Sequence, residues 1–217
     1  MKKIILISSL SFLTACQSAV AHEKKGNANY LAPYDNWYFN FVTPKALPAL
    51  VTYMVMLDTD GVLYKFKTFD SVQGHYESIG GWSNYIFRSK KTFNNAKNPP
   101  QWMKFCWDSI IDKKVYETVI HFSPNVWRMM ITPEPDSFVK TEIYYHDSML
   151  IGLSPEGKVT AWLSNNGKEN IKIATGQTVS GDQLTLCKGV TRFPNGYEYP
   201  EMTNEFIKGK IYPYGNW

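Results

Sequence analysis

The chain is short of the residues that metal sites and nucleic-acid surfaces concentrate. Its 217 residues include three cysteines and four histidines. His22, His75, His121 and His146 do not lie at metal-ligand spacing from one another, and neither C-x-x-C nor H-E-x-x-H occurs, so no metal and no cofactor is expected. There is no run of five or six like charges, and the 23 basic residues are scattered among 19 acidic ones, which argues against nucleic acid as a partner. No apolar stretch reaches the roughly 20 residues of a membrane-spanning helix. No repeat of fixed period and no linker-like change of composition interrupts the middle of the chain, so one folded domain is expected.

Two stretches approach catalytic motifs and fail on chemistry. "GLSPEGKV", Gly152 to Val159, is one residue from the phosphate loop G-x-x-x-x-G-K-[ST]. Val159 stands where the magnesium-binding hydroxyl belongs, and "VTAWLS" then alternates as a strand where the phosphate loop needs a helix. The stretch reads as a hairpin turn, Ser154-Pro155-Glu156-Gly157, with Pro second and Gly last, so no nucleotide is expected. Gly152-Leu153-Ser154 is also not a nucleophile elbow, because Gly157 comes one position late and no helix follows. His146-Asp147 in "YYHDSM" is the most chemical-looking pair; a turn there explains both as solvent-facing. Nothing in the sequence selects a pair of carboxylates for glycosidase chemistry. No catalytic residue is assigned.

What is present begins with the first residues. "MKKIILISSLSFLTACQS" runs from two lysines through an apolar segment to small residues and Cys16, the order of a secretory signal. The small pair followed at once by cysteine resembles the bacterial lipobox. That resemblance implies cleavage before Cys16, a diacylglyceryl group on its sulfur, and acylation (palmitate among the acyl chains) of the new amino group. Several acyl chains, each burying CH₂ groups at about 0.8 kcal/mol apiece, anchor far more firmly than one myristoyl chain. Gln17, in place of Asp, implies by the enterobacterial sorting rule a lipid-anchored outer-membrane location facing the periplasm. Residues 1–15 are then the signal peptide, 16–29 the lipidated cysteine and a tether, and 30–217 a β-rich periplasmic domain. The thirteen residues from Gln17 to Asn29 have a coil reach of about 20 Å.

Losing Lys2 and Lys3 with the signal lowers the formal charge from +4 to +2, and the 44% hydrophobic and 15% aromatic content suffices for a core. Cys106 and Cys187 remain. In an oxidising periplasm they form either a disulfide, whose loop of about eighty residues is worth about 4 kcal/mol by chain entropy, or two buried thiols inside strand-like alternations.

The patterning is β almost throughout, which predicts an antiparallel β-sandwich or open barrel. "ALVTYMVMLDTDGVLYKFKTF" is a hairpin turning at Asp60-Gly61, and "WMKFCWDSIIDKKVYETVIHF" is a second one turning at Asp112 to Lys114. In the return strand Val115, Glu117, Val119 and His121 share one side. Further strands are expected at 37–42, 127–132, 139–145, 149–153, 158–163, 184–190 and 206–212. No window of ten residues shows a 3.6-residue apolar period free of Pro and Gly, though a short helix between Asp70 and Tyr85 or near Asn94 is compatible with the pattern.

Aromatic residues are the remaining excess. "GHYESIGGWSNYIF" and "RFPNGYEYPEMTNEF" set Tyr76, Trp82, Tyr85, Phe193, Tyr197 and Tyr199 among Gly, Asn and Pro. Such loops either present rigid contact area to a partner or fold back over the ends of a β core.

"PQWMKFCWDSIIDKKVYETVI" and "YYHDSMLIGLSPEGKVTAWL" together resemble an uncharacterised lipoprotein family of Gram-negative bacteria, catalogued as a domain of unknown function. The matching residues are Pro100, Trp107, Asp108, Ser109, Tyr116, Gly152, Leu153, Pro155, Gly157, Trp162 and Leu163. No catalytic residue comes with the family. Some lipoproteins of this general type are immunity proteins encoded beside secreted toxins, and the resemblance implies that role. The expectation is a non-enzymatic, membrane-anchored module that binds a protein partner in the periplasm. The alternatives are an envelope assembly or maintenance lipoprotein and an envelope hydrolase.

Overall fold

A computed structural model describes residues 28–75, 80–83, 85, 86, 93–210 and 215–217. In chain order the strands and helices are β1 (Trp37–Pro44), β2 (Ala49–Asp58), β3 (Leu63–Phe66), β4 (Gln73–His75), β5 (Asn95–Ala96), β6 (Pro100–Ser109), β7 (Lys114–His121), α1 (Pro124–Ile131), β8 (Glu134–Pro135), β9 (Ile143–Tyr144), β10 (Ser148–Ser154), β11 (Lys158–Asn165), β12 (Lys168–Thr175), β13 (Gln177–Ser180) and α2 (Glu201–Ile207). Sheet A runs β12-β11-β10-β1-β4, with β5 also on β1; sheet B runs β13-β7-β6-β2-β3. The protein is mainly β and single-domain, with no closed barrel among the described residues. Pairing is antiparallel except around β1, which runs parallel to β10 and β4. That departure from the antiparallel expectation follows from the path, since the chain builds most of sheet B before returning beside β1.

The sheets pack face to face because alternate residues on both are apolar. Trp37, Phe39 and Phe41 of β1 and Met149, Ile151 and Leu153 of β10 meet Met54, Met56, Met103, Phe105 and Trp107 from sheet B in one buried core. Phe41 and Phe105 make an edge contact at 5.3 Å, and full burial of one such ring stabilises by roughly 2–3 kcal/mol. The alternation in β2 is corrected by a bulge between Val51 and Tyr53, which lets Val51, Met54 and Met56 all face inward. The chain changes sheets between β12 and β13 at Gly176, where a Cβ would fall 2.5 Å from Thr118 Cγ2 and 2.9 Å from Val159 Cβ. Only glycine fits that corner.

Three expected strands take other forms. Residues 127–132 lie mostly in α1, which has Ser123 at its N-cap and Pro124 as its first residue, buries Val126, Trp127 and Met130, and at eight residues is too short to show a 3.6-residue period over ten. Residues 184–190 are irregular, because the Thr185 and Cys187 amides donate to the Glu117 carboxylate instead of a neighbouring strand. The 206–212 stretch begins inside α2, anchored by the Thr203 hydroxyl donating to Ala46 O at 2.8 Å, and residues 211–214 lie outside the described residues. Of 139–145 only Ile143–Tyr144 pairs. No helix forms in the described part of 70–85 or at Asn94; β4 and the approach to β5 occupy those places.

Candidate binding cleft

At one end of the sandwich the β6–β7 turn, the β10–β11 turn and β13 enclose a cleft of about 570 Å³ lined by Asp112, Lys114, Tyr116, Glu156, Thr178, Ser180 and Gln183, among others. The Asp112 carboxylate organises it. One oxygen, Oδ2, accepts hydrogen bonds from Ser109 Oγ at 2.8 Å, the Glu156 amide at 2.9 Å and the Tyr116 hydroxyl at 3.2 Å, so a single carboxylate ties both turns together. Burial, and beside it the Asp112 charge, push the Tyr116 phenol up, which keeps it a donor.

"GLSPEGKV" is the second wall. Pro155 starts the turn, Glu156 takes φ 65° and Gly157 takes φ 72°. A Cβ on Gly157 would sit 2.8 Å from Tyr116 Cε1 and 2.9 Å from Thr178 Cγ2, so glycine is required for both backbone and space. The turn aims one amide at Asp112 and lays its backbone on Tyr116; β11 follows as a strand. Glu156 pairs with Lys158 at 3.0 Å on the rim. The cleft thus offers carboxylates, an ammonium group, hydroxyls and an amide on a rigid frame, the lining of a recognition site for a polar surface.

A second polar construction covers the outer face of sheet B. Cys106 and Glu117 are cross-strand partners there, with Asp108 two residues on. Cys106 and Cys187 are joined by a disulfide, so of the two forms expected for this pair it is the bridge that the fold contains. Glu117 accepts from Thr185 N and Cys187 N at 2.9 Å each and from Thr185 Oγ1 at 2.6 Å, and pairs with Lys104 at 2.6 Å. Asp108 accepts from Thr191 Oγ1 at 2.9 Å, Arg192 N at 3.0 Å and Tyr197 OH at 2.8 Å. Burial alone would raise the Glu117 pKa, but the Lys104 ammonium and the Thr185 and Cys187 donors outweigh it and hold it at about 2. Burial chiefly, with the Asp108 bond, pushes Tyr197 up to about 12 against the opposing Thr191 bond.

The aromatic candidates separate. Tyr197 bonds Asp108 and packs on Phe193 at 4.9 Å, while Tyr199 donates to Ile111 O at 3.3 Å, so these three rings fold back on sheet B. Trp82 lies on the opposite, outer face of sheet A, edge-on to Trp162 at 5.4 Å and Trp217 at 5.8 Å. Tyr85 is exposed; Tyr76 and Cys16 lie outside the described residues. The six therefore do not form one patch.

His146 is buried, correcting the solvent-facing expectation: its Nδ1 lies 2.9 Å from Ser164 O and its Nε2 3.4 Å from Glu134 Oε1, because the ring reaches across to β11 beside Tyr144. Sequence reasoning passed over Asp112 and Glu117 as site residues. The signal for Glu117 was its place between Val115 and Val119 on one face of a strand. Asp112 carried none beyond its turn. Among the described residues no three His, Cys, Asp or Glu side chains gather as a metal cage would, and no helix is long and apolar enough to cross a membrane.

Neither the curated proteins nor the solved structures contain a significant match to this chain. A family model does match, over residues 19–215, and so takes in both hairpins, the cleft and the C-terminal segment on sheet B. The chain belongs to that family, described as "Protein of unknown function (DUF2931)".

Proposed function

We propose that this is an outer-membrane-anchored lipoprotein whose folded domain binds another protein in the periplasm, with neutralisation of a secreted toxin as the specific form of that role. The observation that carries the binding role is the cleft: two turns, one from each sheet, tied by one carboxylate and flanked by β13, hold charged and hydrogen-bonding groups in fixed positions around an open recess. Preorganised polar groups of this kind select a partner at little ordering cost. Export is supported by the signal-like N-terminus and by the Cys106–Cys187 disulfide, a bond that persists in oxidising compartments.

A hydrolytic reading draws on Asp112 and Glu156 lining the same cleft. The three hydrogen bonds on Asp112 Oδ2 favour positioning over proton transfer. Affinity capture of the tagged, lipidated protein from outer membranes tests the proposal. One stoichiometric secreted protein is expected, its binding weakened by about 1–2 kcal/mol in Glu156→Ala or Gln183→Ala, with the unfolding midpoint unchanged. Recurrent envelope proteins whose binding ignores both changes would point to assembly or maintenance, and turnover of a cell-wall substrate lost in Glu156→Gln would replace the proposal with an enzyme.

A further inference from the structure

The largest exposed apolar side chains are unevenly distributed. Of eight such side chains among the described residues, three fall within the β8–β9 hairpin, Phe138 at 76% exposed, Ile143 at 66% and Val139 at 44%; Leu31 is 46% exposed, and Met202, Phe93, Leu63 and Tyr85 are spread over the rest of the chain. Leu31 belongs to the same end of the molecule: its neighbour Tyr30 stacks edge-on to Trp127 of α1 at 5.1 Å, and Tyr34 packs on Tyr145, just past β9, at 5.3 Å. The tip is built, not loose. Asp136 Oδ1 accepts the Phe138 amide at 2.7 Å and the Val139 amide at 2.8 Å, and Asp136 N and Glu142 N close the loop through Glu142 O and Val139 O. The Phe138 ring rests on Gly167 of the β11–β12 turn, where a Cβ would fall 2.4 Å from Phe138 Cζ, and the rest of the ring faces outward.

We propose that this apolar tip is a second membrane contact, inserting Phe138, Val139 and Ile143 into the bilayer that holds the lipid anchor. The inference rests on the anchor reading above. Thirteen tether residues separate Cys16 from Tyr30 and reach about 20 Å, whereas a body of about 190 residues has a radius of gyration of roughly 16 Å and is wider than that reach. The end that carries Tyr30, Leu31 and the β8–β9 tip therefore stays next to the bilayer. Acyl chains with a second, weaker signal make a firm attachment, and an exposed apolar patch held beside a bilayer is placed to supply that signal. Charge selects the mode: the segment carries Glu134, Asp136 and Glu142 against Lys140, so attraction to anionic lipid is excluded and apolar insertion, insensitive to salt, does the holding.

The test uses the full lipidated chain floated with vesicles of phosphatidylethanolamine containing a minor fraction of phosphatidylglycerol. Nitroxides are placed singly at Phe138→Cys, Ile143→Cys and, as a control at the opposite end of the sandwich, at the 68% exposed Met202→Cys of α2, whose neighbour Thr203 is tied to Ala46 beyond β1; Cys106 and Cys187 are bridged and do not react. At 138 and 143, accessibility to a water-soluble nickel chelate should fall roughly threefold or more against the detergent-solubilised protein, while accessibility to oxygen rises, with no effect at 202 and none of added salt. A label at Val139→Cys should return to water in the Phe138→Asp/Ile143→Asp background. Floating protein with 138 and 143 as water-exposed as 202 would overturn the proposal and leave the tip to a protein partner. A chain that does not float would instead overturn the anchor reading beneath it.

Discussion

The two sheets hide their outer faces by opposite chemistries. On sheet A, Val42, Ile86, Leu150 and Trp162 form a small apolar cluster under Trp82, with Trp217 from the C-terminal end against it. On sheet B, the irregular 184–199 segment is held by a disulfide, two buried carboxylates and one ammonium group. The first closure depends on shape, because Gly152 leaves room for two indoles: a Cβ there would lie 2.7 Å from Trp82 Cζ2 and 2.8 Å from Trp162 Cζ3. The second depends on charge state and redox state. One face of the molecule should therefore respond to its environment, and the other should not.

The largest effect should come from the covalent tie. Replacing Cys106 and Cys187 by Ser, or reducing the bond, should lower unfolding stability by about 4 kcal/mol, read from denaturant midpoints. Amide exchange should rise in 184–199 and stay low around Trp162. Equal loosening of both faces would abolish the contrast.

Acid should act next. Glu117 sits at about 2 in the folded protein against an ordinary value of 4.5. Its contribution is therefore fully present above about pH 4.5 and is lost as the pH falls towards 2, a change of about 3 kcal/mol. In Glu117→Gln this part of the acid sensitivity should disappear, while stability at neutral pH drops because Lys104 loses its carboxylate and keeps only the Thr185 hydroxyl. An unchanged acid profile in that variant would remove Glu117 from the account.

The smallest expected change sharpens the other face. Gly152→Ala should cost about 1–3 kcal/mol by overpacking and shift tryptophan fluorescence, with neither effect depending on pH between 3 and 8 nor on reductant. A pH-dependent loss there would show that sheet A also relies on a titrating group.

The strands that were legible are those whose alternation is continuous: β1, both arms of the β2–β3 and β6–β7 hairpins, β10 and β11. Apolar residues two apart on a buried face leave few other readings. β12 and β13 were missed, because Lys168, Glu169 and Lys172 dilute the pattern on an edge strand. The 184–190 stretch alternates as well as many strands do, yet its amides are claimed by a carboxylate about seventy residues earlier. The cleft was half legible. The Pro155–Gly157 turn and the Ser109, Tyr116 and Gly157 positions stood out, but their convergence on Asp112 did not, since no local signal marks a turn carboxylate as a hub. The aromatic loops left two readings open, and in the described residues Phe193, Tyr197, Tyr199 and Trp82 pack back on the sheets while Tyr85 alone is exposed.

By itself the sequence determined the β class, the single domain, the two hairpins and the hairpin nature of "GLSPEGKV", all of which rest on period-two patterning and turn chemistry within a few residues. Tertiary structure decided which face Glu117 and Asp108 point to, what claims their charges, whether Cys106 and Cys187 are bridged, and where the exposed apolar tip stands relative to Tyr30. Those outcomes depend on contacts between residues tens of positions apart, and a buried carboxylate or a half-covered ring takes its meaning from the segment that arrives to meet it.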